Sequence, residues 1–320
     1  MEKYKKIGIL TRDCAGINAT IRAVVRSAYT FGFETIGIVR GYKGLIENDT
    51  VKLTPRSVSG IINHGGTILK TARSSRFRMA DGQKEALNTL KANNIDALVV
   101  IGGNGSLSGA YTLSSKYAVP VVGIPATIDN DINGVSMSIG ADTSVNVALD
   151  ALDKIRDTAT SLERIFVVEV MGRDCGYIGL RVALAGGCEE AILPERKFDI
   201  KKIAREIKDG SAKGKITWII IVSEGKAKAV DIAKKINKIT NLETREVVLG
   251  HIQRGGRPTA YDRMLAARYG FHAVELLTKR RTGRCVTLRD NKPSDIPLSR
   301  AIKKKDMEVN DYYKLIKLLT

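Results

Sequence analysis

Cysteine and long apolar runs are both scarce in this chain of 320 residues, and each shortage excludes a class of protein. The four cysteines, Cys14, Cys175, Cys188 and Cys285, lie far apart without a C-x-x-C pair, so we expect reduced core thiols and neither a disulfide framework nor a zinc site. No uninterrupted apolar run is long enough to cross a bilayer. The opening MEKYKKIGIL lacks the apolar stretch and cleavage site of a secretory signal. The expected location is the cytoplasm, with no membrane partner.

Negatively charged residues are also few. Lys and Arg number 52 against 34 Asp and Glu, which gives a net charge of +18. Such a field attracts anions, including nucleotides, sugar phosphates and nucleic acid. However, the positive residues are spread along the chain, the densest cluster (299–306) is short, and no recognition-helix, zinc-finger or aromatic RNA-binding pattern occurs. Nucleic acid is therefore not the expected partner, and we expect a basic surface with some residues collected in anion pockets.

Short runs rich in Val and Ile are abundant, and they alternate with amphipathic helical segments. Because these runs are apolar throughout, we expect strands buried on both faces, and hence parallel sheets in an α/β protein. The length suggests about two domains. Ligands of such sheets gather at the carboxyl ends of the strands. The predicted strands lie within 6–11, 34–41, 96–103, 119–127, 163–172 and 216–225, and helices are predicted within 17–32 and 230–240.

Two turns after predicted strands carry the candidate phosphate chemistry. In DALVVIGGNGSL (96–107) a strand runs into a glycine turn and a helix start, which can present several backbone N–H groups to an anion. In GIPATIDNDING (123–134) Thr127, Asp129 and Asp131 alternate, so all three face one way if the segment is extended. Two carboxylates on one side can divide proton transfer and metal binding. The alternative for the glycine turn is that it only reverses the chain, and the alternative for 123–134 is a polar loop whose Asp and Asn residues form turns.

A further set comprises cations in apolar or Gly-rich settings. Arginine suits phosphate because its guanidinium donates in two directions and stays charged. Taken singly, each arginine is as readily a surface or ion-pair residue, and a lone histidine is as readily structural. Arg254, just before Gly255 and Gly256, is better placed than most to reach a ligand. The set is Arg73, Arg76, Arg164, Arg173, Arg245, His251 and Arg254.

Seven segments occur in a recognisable order along the chain. They are GYKGL (41–45), GGTILKTAR (65–73), GGNGS (102–106), PATIDNDI (125–132), VVEVMGRDCG (167–176), AGGCEE (185–190) and ETREVVLGHIQRGG (243–256). Together they resemble the 6-phosphofructokinase family of the bacterial ATP-dependent type, over nearly the whole chain. The resemblance implies two Rossmann-like three-layer α/β/α domains with mainly parallel sheets and an active site in the cleft between them. It places a larger nucleotide-binding domain at 1–137 plus about 255–303, and a smaller sugar-phosphate-binding domain at about 138–254 plus 304–320.

The resemblance also implies an activity and a set of roles. The reaction is transfer of the γ-phosphoryl group of ATP to the 1-hydroxyl of fructose 6-phosphate, giving fructose 1,6-bisphosphate in glycolysis, usually by a homotetramer. Asp129 is the expected base, Thr127 and Arg173 stabilise the transferring group, and Asp131 supports Mg²⁺ and the nucleotide phosphates. The implied substrate-binding residues are Thr127, Ile128, Asp129, Arg164, Met171, Gly172, Arg173, Glu224, Arg245, His251 and Arg254, with Arg164 and Arg245 reaching in from a neighbouring subunit.

The same resemblance supplies a nucleotide site and an effector site. Gly105 and Ala126 stand where pyrophosphate users often have Asp and Lys, so both favour ATP. The effector, ADP or phosphoenolpyruvate, is expected between subunits, with Glu189 as a metal ligand. The nucleotide residues are Arg12, Tyr42, Arg73, Ser74, Gly103, Asn104, Gly105 and Ser106. The effector residues are Arg22, Arg26, Arg156, Gly187, Glu189, Lys213 and Lys215.

Two departures from the family pattern fall on the nucleotide site. The turn at 11–18 is shorter than the family's and has lost its glycine pair, and Asn104 replaces a carboxylate that binds magnesium. Because Mg²⁺ prefers charged oxygen ligands, we expect weakened binding at Asn104 and Asp131. Arg12 could offset part of the loss by donating to a phosphate. The alternative function is therefore a catalytically weak or inactive regulatory paralogue that binds a sugar phosphate or effector.

Overall fold

The computed structural model describes residues 4–320, and these divide into two compact units. The first contains the chain up to residue 143 together with Arg254–Lys305, and the second contains Ser144–Gln253 and Asp306–Thr320. The chain thus crosses between the units more than once. The assignment of nucleotide binding to one predicted domain and of sugar-phosphate binding to the other stays a prediction.

Strands and helices alternate along most of the chain. The strands are β1 (Lys6–Thr11), β2 (Glu34–Ile38), β3 (Thr50–Leu53), β4 (Ala97–Gly102), β5 (Val121–Pro125), β6 (Ile165–Val170), β7 (Glu190–Ile192), β8 (Trp218–Ser223), β9 (Thr244–Val248), β10 (Arg284–Arg289) and β11 (Lys292–Pro297). The helices are α1 (Ile17–Thr30), α2 (Tyr42–Glu47), α3 (Ala80–Ala92), α4 (Asn104–Tyr117), α5 (Ala141–Leu162), α6 (Tyr177–Ala185), α7 (Ile200–Ala212), α8 (Ala229–Thr240), α9 (Ala260–Thr278), α10 (Leu298–Ala301) and α11 (Asn310–Leu319).

The first unit is built on a seven-stranded sheet in the order β11-β10-β5-β4-β1-β2-β3. The pairs from β10 to β2 are parallel, and β3 and β11 join the two edges antiparallel. Central strands such as β4 are apolar along their whole length and fully buried, because helices cover both faces of a parallel sheet. The edge strand β11 carries exposed Lys292 and Pro293, residues that an edge tolerates.

The carboxyl ends of three neighbouring strands meet at one edge of this sheet. Thr11 of β1 lies opposite Ile101 of β4, and Gly102 of β4 lies opposite Pro125 of β5. The turns that follow β1, β4 and β5 therefore lie side by side. This is the edge at which ligands of open α/β sheets bind.

The second unit contains a four-stranded parallel sheet in the order β7-β8-β6-β9. Its core is aliphatic and includes Val167, Ile220 and Ile236, each fully buried. Val170 at the end of β6 lies opposite Ser223 at the end of β8, so the residues that follow these two strands are also neighbours.

The predicted α/β class with mainly parallel sheets is confirmed. The antiparallel strands β3 and β11 are departures at the sheet edges. All four cysteines lie within the described residues, are buried and form no disulfide, as predicted. Between residues 4 and 320, no helix is long and apolar enough to cross a membrane.

Candidate active site

The glycine turn after β4 leads directly into helix α4, as the sequence predicts. The helix begins at Asn104, so Gly105 and Ser106 belong to its first turn. The Gly103 carbonyl accepts the backbone N–H groups of Ser106 (2.9 Å) and Leu107 (3.0 Å). The earlier N–H groups of the helix have no partner within it, and with the helix dipole they favour an anion at this position.

Asn104 contacts the other predicted metal residue. Its Nδ2 donates to Oδ2 of Asp131 at 2.7 Å, and the same nitrogen lies 3.4 Å from the Asp131 carbonyl oxygen. The structure thus brings both predicted metal positions together. They meet as an amide donor and a carboxylate acceptor, and not as two anionic ligands.

The segment after β5 is a turn and is not extended. Asn130 has a φ of +48°, in the left-handed region that asparagine tolerates better than most residues. Thr127 and Asp129 are held together: the Thr127 hydroxyl donates to Asp129 Oδ2 at 3.3 Å and accepts the Asp129 backbone N–H at 3.2 Å. The alternation expected for an extended segment therefore does not orient Asp131, whose carboxylate meets Asn104. Ile128 and Asp129 are buried.

Arg12, which follows β1, contacts the predicted nucleotide loop. Its Nη1 donates to the Ala72 carbonyl at 2.7 Å and lies 3.1 Å from the Thr71 hydroxyl. These contacts link the shortened first turn to the segment that carries Arg73 and Ser74. Arg73 is exposed, and the Ser74 hydroxyl accepts the Phe77 N–H at 3.3 Å.

Tyr42 lies against helix α4. Its ring stacks on Phe77 with centroids 4.0 Å apart, and its hydroxyl donates to the Ser106 carbonyl at 2.7 Å. Burial raises the pKa of Tyr42 well above its ordinary value, so the phenol stays neutral and keeps donating. Tyr42 thus fixes the helix start that the sequence assigns to the nucleotide.

Arg254 belongs to this first unit. Its Nη1 approaches the Asp13 carbonyl at 3.4 Å. It is therefore near the turn after β1. Asn18, at the start of α1, is held next to this turn by the hydrogen bonds that its side-chain amide donates to the carbonyls of His64 (3.2 Å) and Gly65 (3.0 Å). The Asn18 carbonyl oxygen Oδ1 accepts the N–H of Ile68 at 2.8 Å.

In the second unit, the predicted sugar residues gather at the carboxyl ends of β6 and β8. The backbone N–H of Arg173 donates to Glu224 Oε1 at 3.2 Å, and the N–H of Met171 lies 3.4 Å from Gln253 Oε1. Arg173 has an exposed side chain and a left-handed φ of +51°. Gly172 lies between Met171 and Arg173 in the chain. His251 is exposed in a short 3₁₀ helix after β9.

Arg164 and Arg245 are not brought to that group. Both bind Glu243, with Nε of Arg164 at 2.7 Å from Oε2 and Nη2 of Arg245 at 2.5 Å from Oε1. Desolvation raises the pKa of Glu243, but the hydrogen bonds and charges of Arg245 and Arg164 outweigh it and lower the pKa overall. The pair lies at the amino ends of β6 and β9, and about 20 Å of strand separates it from Arg173.

Four predicted effector residues form two pairs in the second unit. Nη2 of Arg156 donates to the Gly187 carbonyl at 3.2 Å, and Nζ of Lys215 lies 2.9 Å from Glu189 Oε1. The other Glu189 oxygen accepts the N–H of Ile219 at 2.7 Å. The remaining effector residues are Lys213, exposed at the end of α7, and Arg22 and Arg26 on α1 in the first unit.

Comparison with known proteins identifies the family. A family model described as "PFK: Phosphofructokinase" matches residues 6–277. The chain belongs to the phosphofructokinase family. It is 48% identical over 318 residues to the ATP-dependent 6-phosphofructokinase of Clostridium tetani, and 47% identical to that of Natranaerobius thermophilus, with 99% of each chain covered in both cases. The predicted family is confirmed.

Solved phosphofructokinase structures share the fold. The Saccharomyces cerevisiae phosphofructokinase matches with a TM-score of 0.86 and 34% identity, over 93% of this chain and 45% of that chain. This chain thus spans about half the length of the yeast protein. The pyrophosphate-dependent phosphofructokinase of Marinobacter aquaeolei matches with a TM-score of 0.85 over 98% of this chain, and at 21% identity it shares the fold alone.

Proposed function

We propose that this phosphofructokinase transfers the γ-phosphoryl group of ATP to the 1-hydroxyl of fructose 6-phosphate, giving fructose 1,6-bisphosphate in glycolysis. The observation that carries the proposal is the 47–48% identity, over 99% of both chains, to proteins named ATP-dependent 6-phosphofructokinase. Gly105 and Ala126 support ATP as the donor.

In this proposal Asp129 is the general base. A buried carboxylate that accepts a hydrogen bond from Thr127 is held in one orientation, and it can take the proton of the 1-hydroxyl as that oxygen attacks phosphorus. Thr127 and the guanidinium of Arg173 stabilise the charge on the transferring group. Phosphoryl transfer depends chiefly on such alignment and neutralisation.

The sugar phosphate is proposed to bind through the second unit's cluster and Arg254. Met171, Gly172, Glu224 and His251 contact the sugar, and Arg254 binds its 6-phosphate. Arg164 and Arg245 complete a phosphate site in a neighbouring copy, and their distance from Arg173 along β6 supports that division. The proposed assembly is a homotetramer.

Magnesium is proposed to bind together with the nucleotide. Mg²⁺ usually takes one or two carboxylates with phosphate oxygens and waters, so Asp131 beside the α4 start fits a shared ion. Within residues 4–320 no group of three or more His, Cys, Asp or Glu side chains could hold a metal. In this proposal phosphate oxygens and waters supply the other ligands. Bound there, the ion would neutralise β- and γ-phosphate charge. Because Asn104 is neutral and donates to Asp131, we propose that binding is weaker than with an aspartate.

We further propose ADP or phosphoenolpyruvate as an effector of the second unit's cationic group. Arg156 and Lys215 are fixed by Gly187 and Glu189, and cations held in this way can receive a phosphate without further ordering. Arg22, Arg26 and Lys213 would complete the site across subunits.

A second candidate function is a regulatory paralogue that binds sugar phosphate without turnover. The observation that favours it is the Asn104–Asp131 hydrogen bond, which occupies a carboxylate oxygen that the metal would need. Product analysis separates the two candidates. Incubation with fructose 6-phosphate and Mg-ATP should yield fructose 1,6-bisphosphate by ³¹P NMR, and an Asp129→Ala variant should yield none. No product, with calorimetric binding of fructose 6-phosphate and none of Mg-ATP, would favour the regulatory paralogue.

A further inference from the structure

Asn130 joins the two carboxylate residues of the turn after β5 and is fixed by its side chain. Its Oδ1 accepts the N–H of Ser138 at 2.9 Å and lies 3.1 Å from the Ser138 hydroxyl. Its φ of +48° makes the peptide that follows point away from the direction of an extended strand. The orientation of the Asn130 peptide therefore sets the spacing between Asp129 and Asp131.

The carbonyl of that same peptide accepts a hydrogen bond from a lysine 175 residues further along the chain. Nζ of Lys305 lies 2.8 Å from the Asn130 oxygen and 3.0 Å from the Val135 oxygen. One ammonium thus joins the two ends of the loop. Charge-assisted hydrogen bonds of this kind are stronger than bonds between neutral groups.

The chain around Lys305 is built to reach this loop. The backbone of Lys304 pairs with Ile132 in an isolated antiparallel bridge. Earlier in the segment, the Arg300 side chain packs against Gly134: a Cβ added there would lie 2.9 Å from the Arg300 Nε. The φ of +72° at Gly134 also favours glycine. Segment 300–305 therefore lies along loop 130–135. Lys305 is positioned at this loop by the backbone pairing of Lys304 with Ile132 and by its own side-chain hydrogen bonds.

We propose that Lys305 is a positioning residue for phosphoryl transfer. Its ammonium fixes the Asn130 peptide, so the proposed base Asp129 and the proposed metal carboxylate Asp131 keep the relative placement that in-line transfer requires. The proposal rests on the proposed function. It assigns Lys305 no contact with either substrate, so its loss should affect the alignment of the reacting groups and leave affinity for fructose 6-phosphate nearly unchanged.

The test compares Lys305→Met with Lys303→Met. Lys303 is exposed in the same segment, so the control makes the same chemical change away from the turn. We expect Lys305→Met to lower kcat by about 10- to 100-fold while KM for fructose 6-phosphate changes less than about threefold, because misplacement of about 1 Å has effects of this size. Lys303→Met should match the wild type. Lys305→Arg, which keeps the charge and donors, should restore part of the lost kcat.

Equal kcat for Lys305→Met and Lys303→Met would overturn the inference, as would a loss confined to KM. If Lys305→Met does not fold, Lys305→Gln takes its place with the same two readings. If the wild type itself turns over no faster than Asp129→Ala, the proposed function fails, and crystal structures of the two lysine variants decide separately on Lys305. A displaced Asp129 carboxylate in Lys305→Met alone supports the positioning role, and an unmoved one contradicts it.

Discussion

The side-chain amide of Asn104 donates a 2.7 Å hydrogen bond to the carboxylate of Asp131. This bond joins the first residue of α4 to the turn after β5. An aspartate at position 104 would bring two carboxylates to the same distance, and one of them would then need a cation or a proton. Asn104 donates to Asp131 without requiring either.

Replacing Asn104 with Asp should therefore make the protein less stable in the absence of metal and increase its affinity for Mg-ATP. We expect Asn104→Asp to be less stable than the wild type by about 1–3 kcal/mol in EDTA, since a hydrogen bond becomes a repulsion. The KM for Mg-ATP should fall by about tenfold or more, because a charged oxygen ligand is restored. Thermal unfolding with and without Mg²⁺, and steady-state kinetics, measure the two effects.

Asn104→Ala is the matched control for this exchange. It removes the hydrogen bond and adds no charge, so it should lose stability and gain no affinity for Mg-ATP. An Asn104→Asp variant whose KM for Mg-ATP equals or exceeds that of the wild type would contradict a weakened magnesium site.

Arg12 is expected to act on nucleotide affinity through the loop it holds. Arg12→Ala removes the hydrogen bonds to Ala72 and Thr71, so the segment leading to Arg73 should loosen. We expect KM for ATP to rise by about 3- to 10-fold, the effect of one or two hydrogen bonds, with KM for fructose 6-phosphate unchanged. Arg289→Ala, at an exposed arginine in β10, is the control. An equal KM for ATP in Arg12→Ala and Arg289→Ala would show that the hydrogen bonds of Arg12 do not contribute to nucleotide affinity.

Two variants distinguish the contribution of Tyr42 packing to stability from that of its hydrogen bond. Tyr42→Phe keeps the stack on Phe77 and loses the bond to Ser106, so it should cost about 1 kcal/mol of unfolding free energy. Gly109→Ala should cost more, since a Cβ there would lie 2.5 Å from the Tyr42 ring and displace it. Chemical denaturation compares the two. The prediction fails if Gly109→Ala is as stable as the wild type.

The cysteines should be unreactive while the protein is folded. Burial raises the pKa of Cys14 well above its ordinary value, and burial likewise raises the pKa of Cys188 to about 12. A raised pKa lowers the thiolate fraction at pH 8, and only the thiolate attacks a disulfide reagent. We expect no fast thiol reaction with DTNB in buffer and four thiols in guanidinium. Rapid labelling of any native thiol would show that it is accessible.

The sequence predicts the central strands and the first helix closely, because their patterns are local. The run at 96–103 is apolar up to its glycines and corresponds to Ala97–Gly102, and the helix predicted within 17–32 is Ile17–Thr30. The start of α4 is also predicted by a local pattern, the glycine turn that precedes it. Family motifs supplied the candidate residues, and the fold brings Asn104 to Asp131 and Arg173 to Glu224.

Contacts across long stretches of chain were beyond the reach of local patterns. Alternation at 127–131 predicts a shared face only in an extended segment, and the left-handed Asn130 ends that geometry. Arg12 contacts residues about 60 positions away, and Lys305 reaches a carbonyl 175 positions away. Lys305 was not among the predicted site residues. Its only sequence signal was the basic cluster 299–306, which indicated surface charge and not a partner.

Release of ADP that depends on fructose 6-phosphate, measured in a coupled assay with Mg-ATP, tests most directly whether this chain is a working kinase with Asp129 as its base. We expect the wild type to exceed Asp129→Asn by at least about a hundredfold, the usual contribution of a general base. Asp153→Asn, at an exposed carboxylate on α5, should match the wild type. Equal ADP release by the wild type and Asp129→Asn would contradict the proposed reaction.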